Sequence, residues 1–202
     1  MYRAILMDLG KVLIDFDFSA GYRALEKFCP YPEAEIRRRI AATDLAARYE
    51  SGLMESRDFC AQFCACLDLK MDYDRFCAIW NSIFSSVLLP ESMIEGLSHR
   101  YRLVMISNTN QIHFEMVRQR YPVLRHFHDK ALSYEVKAMK PRPEIFLEAV
   151  RLAGCRADEC FYTDDIPAYT EAARKLGIDA VTFESAAQLS TEMRQRGIAW
   201  ER

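Results

Sequence analysis

The sequence predicts an α/β fold: a parallel, Rossmann-like sheet core with a helical cap subdomain inserted after its first strand. Three observations carry that expectation. Apolar runs of strand length recur along the chain, each from the second onward is followed by a helical pattern, and between Asp15 and Pro90 the strand signal gives way to helix. Strands alternating with helices imply a parallel sheet covered on both faces.

The predicted strands are Ala4 to Met7, Leu103 to Ile106, Lys130 to Ser133, Cys160 to Thr163 and Ala180 to Phe183. Helices are expected over Gln111 to Arg120, Pro143 to Leu152, Ala168 to Leu176 and Ala186 to Arg196, where apolar residues fall at three- and four-residue spacing. Gly154, Gly177 and Gly197 stand where helix ends favour glycine. The inserted segment reads as four helices, Phe18 to Phe28, Pro32 to Tyr49, Ser56 to Leu67 and Tyr73 to Phe84, with hinges near Asp15 to Phe18 and Val87 to Pro90. The expected division is therefore a core of residues 1–15 and 89–202 and a cap of residues 16–88. Trp80, Phe76 and Phe84 lie at helical spacing and read as cap core.

Composition narrows the function classes. The 202 residues carry a formal net charge of -2, which gives no basic field for nucleic acid, and half of them are apolar, enough for a sizeable core. No stretch reaches the roughly 20 apolar residues of a membrane helix, and the N-terminus does not read as a secretory signal, so a cytoplasmic protein without membrane or nucleic-acid partners is expected. Seven cysteines, an odd number, are read as reduced thiols, with Cys60, Cys64 and Cys66 packing as small apolar side chains. The four histidines form no metal set.

Four short motifs carry the chemistry, each at or after a predicted strand. Asp8 follows the first strand, Ser107-Asn108-Thr109 the second, and Asp164-Asp165 the fourth, while Lys140-Pro141 lies in a loop between. In an open parallel sheet, ligands bind beyond the carboxyl ends of the strands. A carboxylate there can attack phosphorus and form a covalent intermediate, or it can hold a metal. Mg²⁺ takes hard oxygen ligands, so Asp8, Asp164, Asp165 and the main-chain carbonyl of Gly10 are candidates. Asp164-Asp165 also suits a helix N-cap, and Ser107-Asn108 can either cap a helix or bind phosphate oxygens. Lys140 offers a fixed cation that can balance Asp8 and a phosphoryl group.

Taken together and in order, Asp8, Ser107, Lys140 and Asp164-Asp165 resemble the four motifs of the haloacid dehalogenase superfamily, over nearly the whole chain. The segments around them look closest to bacterial sugar-phosphate phosphatases of the α-glucose-1-phosphate type. The resemblance implies Asp8 as nucleophile and metal ligand, Gly10 carbonyl, Asp164 and Asp165 on Mg²⁺, Ser107 and Asn108 on the phosphoryl oxygens, and Lys140 steadying Asp8. The implied activity is Mg²⁺-dependent hydrolysis of a small phosphorylated metabolite. Two positions depart from the family pattern: Gly10 stands where many members carry an acid–base aspartate, and Tyr169 where many have Asn. Asp15 and Asp17 are the nearest carboxylates in sequence to the missing acid. The alternatives are 2-haloacid dehalogenation, which needs no acid and no metal, and a catalytically weak binding protein.

Overall fold

The computed structural model describes residues 1–201. Five parallel strands form the main sheet: β1 (Ala4–Met7), β4 (Arg102–Ser107), β5 (Asp129–Leu132), β6 (Cys160–Asp164) and β7 (Asp179–Thr182), in the spatial order β5-β4-β1-β6-β7. A separate antiparallel ribbon pairs β2 (Ile14–Phe16) with β3 (Phe84–Val87). Strand β1 is central, and its four residues are fully buried, as a strand covered on both faces must be.

Alternation along the strands builds two apolar layers. Ile5 and Met7 of β1, Leu103 and Met105 of β4 and Phe161 of β6 pack into one cluster; Ala4, Leu6, Val104, Ile106 and Tyr162 pack into the other. The first layer is covered by α6 (Glu91–Ser98), α7 (Gln111–Arg120) and α11 (Ala186–Gln195), which contribute Ile94, Val117 and Leu189. The second is covered by α9 (Pro143–Ala153) and α10 (Pro167–Lys175) through Phe146, Ala149 and Ala173. Each fully buried Leu, Ile or Phe contributes about 1.5–3 kcal/mol, so these layers hold the strand ends in fixed register. Gly154 closes α9 at φ 65°, a left-handed conformation that glycine adopts without penalty.

The inserted segment contains α1 (Phe18–Leu25), α2 (Glu33–Ala41), α3 (Leu45–Glu50), α4 (Ser56–Cys66) and α5 (Tyr73–Trp80). These helices have a core of their own, in which Phe59 packs against Tyr49, Phe63, Phe76 and Trp80. Ile112 of α7 inserts into that cluster from the sheet side. Among the described residues no helix is long and apolar enough to cross a membrane.

Two details differ from the pattern read in the sequence. The expected helix from Pro32 to Tyr49 is broken at Ala42–Asp44, where a turn redirects the chain so that α2 and α3 both face α4. The expected helix from Tyr73 ends at Trp80, and Phe84 enters strand β3. The two passages between core and insertion are therefore tied together by the ribbon rather than left as separate hinges. Its strands are three and four residues long, too short to show a period of two.

Candidate active site

Register brings the acidic residues together. Met7 lies beside Thr163 in the β1–β6 ladder, so Asp8 and Asp164 leave adjacent strands side by side, and the Asp8 N–H still donates to the Thr163 carbonyl at 3.1 Å. Connection order reverses between β1 and β6, the place where open α/β sheets bind ligands. Ser107 ends β4 on the other side of β1.

Lys140 is the electrostatic centre. Its Nζ donates to Asp8 Oδ1 at 2.6 Å, to Asp164 Oδ2 at 2.6 Å and to the Ile106 carbonyl at 3.3 Å. Lys140 is 3% exposed, Asp8 7% and Asp164 0%, so all three charges are withdrawn from water. Burial works to lower the lysine pKa, but the two carboxylates outweigh it and the net shift is upward. Burial pushes the Asp8 carboxyl up, against the pull of Lys140 and with Asp164 adding to the rise. Half-buried Asp165 is raised as well, first by burial and then by Asp164.

One ammonium thus faces three carboxylates. Ligand atoms of Asp8, Asp164 and Asp165 all lie within 4.8 Å of one another. This hard-oxygen set fits Mg²⁺, and a divalent cation between them relieves the excess negative charge. Asp164 is also held by protein: Oδ2 accepts from the Tyr162 hydroxyl as well as from Lys140, and Oδ1 accepts from the Ile166 N–H at 2.9 Å, shaping the turn into α10. Asp164 therefore does turn-forming work while facing the cluster. Tyr162 was not singled out by sequence, although it sits two residues before Asp164 and so shares its face of β6.

The loop carrying Lys140 is held by Asn108. The Asn108 side chain accepts from the Lys140 N–H at 2.7 Å and donates to the Lys140 carbonyl at 3.0 Å. Tyr169 lies over this arrangement, its ring centre 5.1 Å from Lys140 Nζ and its hydroxyl accepting from Asn108 at 3.4 Å. The family departure at Tyr169 thus becomes a wall that packs on the lysine and its support. Asn108's carboxamide is engaged with the lysine backbone, whereas Ser107's hydroxyl makes no hydrogen bond to protein among the described residues and lines a small cavity with Gly10, Asn108 and Thr109.

Gly10 is crowded. A Cβ there would come within 2.6 Å of the Phe16 ring, so the space a side chain would take is filled by that ring. Asp15 is paired with Lys11 at 2.7 Å, and its carboxyl is lowered chiefly by that hydrogen bond. Asp17 caps α1 by accepting from the Ser19 N–H. Neither resembles a carboxyl poised to give up a proton near neutrality.

The remaining polar candidates pack. His113 stacks on Trp80 at 5.1 Å and its Nδ1 lies 2.9 Å from Asn81 Oδ1, with burial pushing its pKa down to about 3. The cysteines are free, and among the described residues the acidic triad is the metal-ligating cluster found.

A parallel five-stranded sheet with this cluster at its switch point agrees with the comparison with known proteins. Residues 2–177 match the haloacid dehalogenase-like hydrolase family, and the chain belongs to that family of hydrolases. It is 23% identical to a D-ribitol-5-phosphate phosphatase of Bacteroides thetaiotaomicron over 201 residues, 96% of this chain and 97% of that protein. A haloacid dehalogenase-family enzyme of Bacteroides thetaiotaomicron, solved with magnesium and inorganic phosphate, superimposes with a TM-score of 0.82 at 28% identity, covering 92% of this chain and 96% of that one. The 2-haloacid dehalogenase of Pseudomonas syringae shares the fold, with a TM-score of 0.68 at 21% identity over 97% of this chain and all of its own.

Proposed function

We propose that the chain is a Mg²⁺-dependent phosphomonoester hydrolase acting on a small phosphorylated metabolite of the sugar or polyol class. The observation that carries this reading is the acidic triad of Asp8, Asp164 and Asp165, two of whose carboxylates share one buried lysine. The phosphatase and the magnesium- and phosphate-bound enzyme among its relatives support it.

In this reading Asp8 attacks phosphorus in line as the ester oxygen departs, giving an aspartyl-phosphate that water then hydrolyses. Lys140 holds Asp8 in its attacking orientation and offsets the charge that develops on the phosphoryl oxygens. The Ser107 hydroxyl and the main chain at Asn108 receive those oxygens, and the Asn108 side chain fixes Lys140. Asp8, Asp165, Asp164 and the Gly10 carbonyl are the groups that would hold Mg²⁺, which when bound supplies shielding of the phosphate charge. Dehalogenation draws less support, since three carboxylates repel an anionic haloacid and serve a cation.

The test is a screen of phosphorylated sugars and polyols with Mg²⁺ and with excess chelator. The expected outcome is hydrolysis that vanishes in chelator. Undiminished turnover in chelator, or release of halide from 2-haloacids in place of phosphate release, contradicts the proposal.

A further inference from the structure

The aspartate that many family members place two residues after the nucleophile is replaced here by Gly10, and its space is filled by the Phe16 ring. The cavity beside Gly10 nevertheless contains a carboxylate. It is lined by Gly10, Ser107 and Asn108 from the core, by Phe16 of the β2–β3 ribbon and by Glu50, the last residue of α3, from the inserted helices. We propose, building on the phosphatase reading above, that Glu50 is the acid–base residue of this enzyme.

Geometry fixes Glu50 from both sides. The preceding residue, Tyr49, is anchored to the core, its hydroxyl accepting from the Ile112 N–H at 3.2 Å. Two residues further on, Gly52 sits at φ 66° so close to the Tyr134 carbonyl of α8 (Ser133–Val136) that a Cβ would come within 2.1 Å of that oxygen. Glu50 is thus held between two points at which the insertion touches the sheet domain, although it belongs to a different part of the chain from the motifs.

Glu50 makes no hydrogen bond or ion pair through its side chain among the described residues, unlike Glu33, Glu35, Glu144 and Glu148, which pair with arginines. Its other side borders an apolar cavity of about 250 Å³ lined by Phe18, Leu25, Phe76 and Trp80. Burial alone pushes its pKa up to about 7. The other titratable groups lining the two cavities are Tyr22 and His113, the latter held neutral by burial. On the helices packed against α3, neither Arg57, Asp58 and the cysteines of α4 nor Tyr134 and Glu135 of α8 line either cavity. A carboxylate at the last position of a helix also meets the negative end of the dipole, so this placement does not serve helix stability.

The chemistry balances. As Asp8 bonds to phosphorus, the phosphorus–ester bond breaks, its electron pair stays on the ester oxygen, and protonated Glu50 gives that oxygen its proton. Glu50, now a carboxylate, then takes a proton from the water that attacks the aspartyl-phosphate. Breaking the phosphorus–Asp8 bond restores the Asp8 carboxylate and releases phosphate with Glu50 protonated again.

Two probes of nearly equal shape test the assignment with the full chain in Mg²⁺: p-nitrophenyl phosphate, whose leaving group needs little protonation, and phenyl phosphate, whose leaving group needs more. Glu50→Gln is expected to lower kcat/KM, which reports the step in which the phenol departs, by about 100-fold or more on phenyl phosphate and by about tenfold or less on p-nitrophenyl phosphate. Glu50→Asp, which keeps a carboxyl, should recover part of the loss, and thermal melting establishes that both variants fold. Equal losses of kcat/KM on the two probes, or a change confined to KM, overturn the role of Glu50 in protonating the leaving group. Wild-type protein that hydrolyses neither these probes nor any phosphorylated sugar or polyol overturns the phosphatase reading itself, and this proposal with it.

Discussion

The sheet domain and the inserted helices handle carboxylates taken wholly or partly out of water in opposite ways. At the sheet edge Asp8 and Asp164 are buried but share Lys140, each within 2.6 Å of its ammonium. In the insertion, Glu50 is partly buried and its side chain has no hydrogen-bond or ion-pair partner among the described residues. A paired buried charge is pinned in position, because losing its partner is severely unfavourable. An unpaired one is left free to change protonation state near neutrality. In the proposed reaction the core supplies orientation and the insertion supplies a proton, and the two meet at the cavity beside Gly10.

The sharpest way to break this comparison is at Asp8. Asp8→Asn keeps the shape but removes the carboxylate proposed to attack phosphorus, and turnover on the best substrate should fall by roughly 10⁴-fold or more, with the circular dichroism spectrum unchanged. Next comes the shared cation. Lys140→Met strands two buried carboxylates and should destabilise the protein by about 3–5 kcal/mol in urea melts, an effect that added Mg²⁺ should partly reverse.

Glu50 should behave in the opposite sense. Its folded pKa, about 7, lies above the ordinary value of 4.5, so the folded state holds the proton more tightly. The resulting penalty is absent below the unfolded pKa, grows as pH rises from 4.5 to about 7, and is constant above that. Glu50→Gln should therefore stabilise the protein at pH 8, by up to about 3 kcal/mol, and by less than about 1 kcal/mol at pH 5. Urea melts at the two pH values check the sign. The smallest effect is expected at Asp15, which is tied to Lys11 on the surface. Asp15→Asn should change stability by less than about 1 kcal/mol and leave kcat within about twofold, measured on the same substrate.

The architecture was legible wherever a strand or helix buried a full apolar period. The five sheet strands and α7 were readable from their residues, because burial on both faces, or on one stripe, leaves a repeat in the sequence. The β2–β3 ribbon was not, since Ile14–Phe16 and Phe84–Val87 are pinned by each other across the chain and carry no periodic run. At the site, Asp8, Lys140 and Asp164-Asp165 stood out as motifs because chemistry restricts their residue types. Glu50 did not stand out. It is one glutamate in a helical stretch, and what distinguishes it, the apolar cavity and the two anchor points around it, exists only after folding. Tyr169 is similar: as a departure from a pattern it had no meaning until its ring was seen over Lys140.

In the proposed reaction Asp8 becomes covalently phosphorylated during turnover. The direct measurement is rapid acid quench of the enzyme with radiolabelled substrate in Mg²⁺, followed by peptide mapping. The account predicts label on the peptide containing Asp8 in the wild type and none in Asp8→Asn, which should also have lost turnover. Wild-type-rate hydrolysis by Asp8→Asn, with no label on the wild-type Asp8 peptide at any quench time, would contradict it.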